Sequence, residues 1–149
     1  MKPRLSFLKV LLYLVTKYII FFIILAFLDD RFKTIVLNNS KDNDEVWINS
    51  FFYSVEVLWA IFFLTLILII PLYFLLKVKQ IAYLLLAFFA WILIEYFTYE
   101  YGASYAHLDL NGIINGVISI LLFFVFFGKF IFSLSGINQN ITASDNIPL

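Results

Sequence analysis

The sequence predicts an all-α integral membrane protein, a four-helix bundle with both termini cytoplasmic. Three observations carry that expectation: four long apolar runs, a composition foreign to water-soluble folds, and charges sorted to opposite ends of the runs. The runs cover residues 10–28, 55–76, 81–97 and 113–132, each near the ~20 residues that cross a ~30 Å hydrocarbon layer as helix. Lipid offers no partner to backbone N–H and C=O groups, so each run must satisfy its own, and a helix does so within one segment. Hydrophobic residues make up 64% of the chain and charged residues 13%, against about half and a quarter in soluble domains. A soluble fold is thereby excluded.

Four spans and their connections use residues 1–134, leaving room for one transmembrane domain and a polar tail, 135–149, expected to be a disordered cytoplasmic segment. Formal net charge is zero, which argues against nucleic acid as a partner, since that requires a sustained basic face. Cysteine is absent, so disulfides, thiolate metal sites and cysteine nucleophiles are excluded. Heavy use of Phe, Ile, Leu and Asn points to an AT-rich bacterial genome, and with it to the bacterial cytoplasmic (inner) membrane.

Basic residues near span ends set the orientation. Lys2, Arg4, Lys9, Lys77, Lys79 and Lys129 share one side, assigned as cytoplasmic. Arg31, Lys33 and Lys41 lie on the other, together with every Asp and Glu except Asp145. The first run has the basic start of a signal peptide, but no small-x-small cleavage site precedes Asp29, so it is expected to remain as an anchor.

A polar outer loop over residues 29–50 ends in helix-capping residues around Asp42 and Asp44. Trp47, Phe51, Phe52, Tyr53 and Trp59 place amphipathic rings near the outer interface. Pro71 is a candidate kink. The short turn at Lys77, Val78, Lys79 and Gln80 is expected to pack spans two and three as an antiparallel hairpin.

Span four carries the clearest pattern: Asn111, Asn115 and Ser119 recur at every fourth position, with Gly112 and Gly116 beside them. A small, polar stripe of this kind lets another helix approach closely and supplies hydrogen bonds, either within the monomer or to a partner. Ionisable residues inside spans are costly, about 2.5 kcal/mol or more at the bilayer centre. Glu95 lies about 24 Å above Lys79 at ~1.5 Å per residue, close to the outer boundary, and Glu56 lies nearer still. Glu95 is expected either to accept a hydrogen bond from Tyr99 or Thr98, or to titrate as a proton site. Lys17 sits about 12 Å above Lys9, near the midplane. No carboxylate shares that depth by the same count, so its side chain is expected to snorkel toward the cytoplasm.

The order Glu95, Gly102-Ala103-Ser104, Asp109, Gly112, Gly116 resembles the VanZ-like membrane proteins, small four-span chains with an outer-loop motif before the last helix. Ala103 stands where that pattern has arginine, and Ile113 where it has asparagine. The resemblance implies a cell-envelope role, linked in that family to glycopeptide resistance; a site there would pair the arginine, replaced here by Ala103, with Glu95 or Asp109.

Glu95, Glu100, His107 and Asp109 are the ligand or proton candidates. His107 is the one histidine in the chain, and no Walker loop, zinc-protease helix, nucleophile elbow or dinucleotide fingerprint accompanies it. No catalytic residue, metal or cofactor is assigned. The function expected is a non-enzymatic envelope accessory or interaction subunit, with the lipid bilayer and a membrane-protein partner or second copy as partners. The alternative is a small transporter or oligomeric channel for cations or protons that uses Glu95 and the polar face of span four.

Overall fold

The computed structural model describes residues 6–28, 30–102 and 110–144, with side chains at 6–28, 30–97 and 110–134. Four α-helices occupy most of this: α1, Phe7–Leu28; α2, Asn43–Leu75; α3, Ile81–Gly102; and α4, Leu110–Ser144. A short π-helix, Lys33–Leu37, lies between α1 and α2, and among the described residues there is no strand. Three helical stretches are long and apolar enough to cross a membrane: Phe7–Leu28, Asn43–Leu75 and Leu110–Leu134. The apolar stretch of α3, Ile81–Phe97, is shorter.

The connection from α1 to α2 is shorter than the expected 29–50, because α2 begins at Asn43. The bound at 50 followed the apolar run, whereas the capping residues expected around Asp42 and Asp44 are the ones that set the start. The Asp42 carboxylate accepts the Glu45 N–H at 2.8 Å, and the Glu45 carboxylate accepts the Lys41 N–H at 2.7 Å. One orphan donor of the first turn is thus satisfied and the chain just before it is fixed. At ~1.5 Å per residue α2 is about 50 Å long, well beyond a ~30 Å apolar layer. Asp42→Ala is expected to cost about 0.5–2 kcal/mol. Amide exchange in the first turn of α2 would accelerate in detergent, and unchanged exchange there would show the cap to be idle.

Two further points concern the ends of α2 and α4. The helix continues through Pro71 to Leu75, since a proline this close to a helix end deletes one hydrogen bond and leaves the earlier ladder intact. The tail expected as disordered from 135 is helical as far as Ser144. Once α4 is nucleated, each added residue gains a bond, and no proline intervenes before Pro148.

Packing centres on α1. Its buried residues, Val10, Tyr13, Leu14, Lys17, Tyr18, Phe21 and Leu25, recur at helical spacing. α1 packs on α2 and on α4, and α4 packs on α3. The expected α2–α3 hairpin is absent as a packed pair: the turn at Lys77 to Gln80 joins the helices, yet they barely touch. A turn fixes only two chain ends, and here each helix finds a better-fitting partner, α1 for α2 and α4 for α3. Large apolar side chains such as Phe62, Ile67, Phe89 and Val125 face outward, as lipid-facing positions require.

Candidate functional site

The fourfold spacing on α4 continues further than the polar residues do. Asn111, Asn115, Ser119, Phe123, Phe127 and Ile131 are all buried on this one stripe. Its first half is amide and hydroxyl, and its second half is mostly aromatic. In the aromatic half, Phe123 stacks on Phe88 of α3 with centroids 3.7 Å apart. The Tyr13 ring of α1 meets Phe123, Phe126 and Phe127 edge-on at 6.5, 5.9 and 5.5 Å.

The polar half closes around an ion pair. The Lys17 ammonium of α1 donates to Glu95 Oε2 of α3 at 2.5 Å, with side-chain exposures of 1% and 7%. Tyr18 donates its hydroxyl to Glu95 Oε1 at 3.3 Å, and Ser119 Oγ lies 3.3 Å from Oε2. Both carboxylate oxygens therefore have donors, and a carboxylate so held has its charge offset locally. The ammonium also lies 4.8 Å from the centroid of the Tyr18 ring, a favourable cation–π distance. Tyr13 donates to the Ser119 carbonyl at 3.1 Å, and Ser119 Oγ donates to the Asn115 carbonyl at 2.8 Å. Three helices are joined through six residues. Ser119 is what permits this: a larger side chain on α4 at that position would stand between α1 and α3.

Lys17 thus does not snorkel. Depth counted from Lys9 and Lys79 separated it from Glu95 by about 12 Å, but counted from the helix starts at Phe7 and Ile81 the offset is four steps, or about 6 Å. The four-carbon lysine stem closes that gap. Glu95 likewise takes its donors from α1 and α4, and the side chains of Tyr99 and Thr98, expected as donors from its own helix, lie outside the described set. Sequence reasoning missed Tyr13 and Tyr18 as members of the site. Their four-residue spacing from Lys17 and Phe22 was present, but hydroxyls in an apolar helix read equally well as interface anchors.

Of the other candidates, Asn115 and Ser119 belong to this centre. Asn111 and Gly112 are buried nearer the start of α4. Gly116 faces α3: a methyl added there would sit 3.4 Å from Cγ2 of Ile92. Gly116→Ala is accordingly expected to leave membrane abundance unchanged, while Gly116→Leu forces the helices apart at about 1–3 kcal/mol. Equal abundance of both variants would show that close approach is unimportant. Glu56 is exposed. Glu100 lies in α3, but its side chain, like His107 and Asp109, is outside the described residues, so the convergence of these acids and His107 is not part of the geometry above. Among the described residues no cluster of three His, Cys, Asp or Glu could hold a metal. Among the described residues, two buried oxygens, Thr65 Oγ1 and Asn115 Oδ1, have no hydrogen-bond partner.

No family model, curated protein or solved structure matches the chain. The comparisons thus give the VanZ-like resemblance no support, and of Glu95 and Asp109 only Glu95 lies within the described side chains. That residue's partner is Lys17.

Proposed function

We propose that the chain spans the bilayer four times, with both ends of the helical region cytoplasmic, and serves as a non-enzymatic accessory or interaction subunit of a bacterial cell envelope. The observation that carries this reading is the closed state of the polar centre. Lys17, Glu95, Tyr13, Tyr18 and Ser119 are linked by hydrogen bonds across α1, α3 and α4, with Ser119 also bonded to Asn115. A buried pair satisfied in this way specifies which helices adjoin, and the apolar outer surface is then what the protein presents to lipid and to other membrane proteins. The orientation rests on the basic residues gathered at the starts of α1 and α3 and near the middle of α4.

The test is native purification of the tagged chain from its own membrane in mild detergent, with mass determination of what accompanies it. A stoichiometric partner supports the accessory reading, and its chemistry names the pathway. Recovery of the chain alone sinks that reading.

A second reading, a proton or cation transporter, is favoured by one observation: an ionisable pair at membrane depth is a functional site by default. It predicts a pH-driven flux in wild-type proteoliposomes that Glu95→Gln abolishes, read per folded chain because Gln strands the buried Lys17 ammonium. Absence of flux in the wild type at any pH would dispose of it.

A further inference from the structure

Three groups around the polar centre retain hydrogen-bonding capacity, one on each of its helices. On α4 the Asn115 side chain is 5% exposed, yet its Oδ1 accepts no hydrogen bond among the described residues. On α1 the Lys17 ammonium carries three N–H groups, and among the described residues Glu95 Oε2 is the oxygen it meets. On α3 Glu95 Oε1 has the Tyr18 hydroxyl at 3.3 Å, beyond the ~2.5–3.0 Å of a well-formed O–H···O bond.

The fold brings these groups to one place. Ser119 Oγ donates to the Asn115 carbonyl and lies 3.3 Å from Glu95 Oε2. Asn115 is therefore one helical turn from a residue that touches the ion pair, with about 5–6 Å between the two Cβ atoms. Its neighbour Gly116 lies against Ile92 of α3, one turn before Glu95. α3 packs on α4 and is joined to α1 by the long side chains of Lys17 and Tyr18, so slender groups cross this interval where bulky ones would fill it.

The chemistry of the three groups selects the occupant. A cation cannot accept from Lys17, and an anion cannot donate to Glu95 or to the Asn115 oxygen. A small neutral molecule that both accepts and donates meets all three demands at once. We infer that the polar centre binds one water molecule, which accepts an N–H of Lys17 and donates its two protons to Asn115 Oδ1 and Glu95 Oε1. Buried waters make about three such bonds to groups that otherwise lack partners. Asn115 then serves the ion pair as well as the helix contact. The site depends on neither the accessory nor the transport reading.

The full chain, enriched in the NMR-active isotopes of carbon and nitrogen, is reconstituted in phosphatidylcholine bilayers. Water-edited solid-state NMR then shows which carbons receive magnetisation from water protons. Transfer is expected at Asn115 Cγ and Lys17 Cε, and not at the ring of Phe123, buried deeper on the same stripe. Asn115→Leu keeps the branched outline of the side chain without its amide, and is expected to lose the transfer to Lys17 Cε at unchanged helix content. Ser119→Ala removes the hydroxyl beside Asn115 that would relay magnetisation without a bound water, and is expected to keep the transfer at Asn115 Cγ.

A wild type without transfer at Asn115 Cγ, or with equal transfer at Phe123, overturns the inference. So does a folded Asn115→Leu chain that keeps the Lys17 signal, or a Ser119→Ala chain that loses the Asn115 signal. If Asn115→Leu does not fold, the wild-type and Ser119→Ala spectra decide.

Discussion

Lys17→Met is expected to be the most damaging conservative substitution in the chain. It leaves the Glu95 carboxylate buried without its ammonium, and breaking such a pair costs about 3–5 kcal/mol. The insertion penalty of a lone charge at the bilayer centre, about 2.5–3.5 kcal/mol, gives a consistent lower bound. Glu95→Leu should be comparably harmful, because it strands the ammonium instead. The double variant, Lys17→Met with Glu95→Leu, should recover most of the loss, since replacing a whole buried pair by apolar residues is often neutral or stabilising. Unfolding in detergent micelles and steady-state abundance in the membrane both read this. A double variant as unstable as the two singles added together would show that the residues act independently, and the pair would lose its role as the joint of the bundle.

The second large effect is expected at Tyr13. Its ring is 1% exposed and faces three rings of α4, so Tyr13→Ala removes a filled volume that rigid helices cannot close. Truncations of buried aromatics cost about 3–5 kcal/mol. The lower end applies here, because association within lipid gains from packing more than from release of water. Tyr13→Phe keeps the ring and removes only the bond to the Ser119 carbonyl, worth about 0.5–1.5 kcal/mol. That carbonyl sits within α4 and retains its helical partner. The same unfolding measurement separates the two variants, and similar losses in both would mean that the hydroxyl, not the ring, matters.

These expectations mark what could be read in the sequence and what could not. Apolar length predicted where the helices lie, since a run of about twenty apolar residues admits few alternatives. The stripe of Asn111, Asn115 and Ser119 was legible as a buried face because the residues share one side of a helix whatever they touch. Its aromatic continuation through Phe123 and Phe127 was not, because phenylalanine is so frequent here, at 19 residues, that periodicity in it carries little signal. Partner choice was the least legible. The short turn after α2 pointed to α3 as its neighbour, yet α1 takes that place, because connectivity constrains two ends while packing is decided along whole faces. Lys17 was misread for a related reason: depth along separate helices has no common origin until their starts are known.

The Lys17–Glu95 bond also joins residues 78 positions apart, and this gives the protein a clock. At about 5–20 residues per second, the ribosome delivers Glu95 roughly 4–16 s after Lys17. On the membrane-spanning reading, the first helix waits about that long with an ammonium that has no carboxylate to meet. The interfacial, snorkelled posture that depth-counting assigned to the finished protein is the one open to the nascent chain. A chain arrested before residue 95 should therefore show Lys17 accessible to aqueous acylating reagents, and the full-length chain should not. Completion of the bundle is then a late event governed by synthesis, with the first helix waiting for the third.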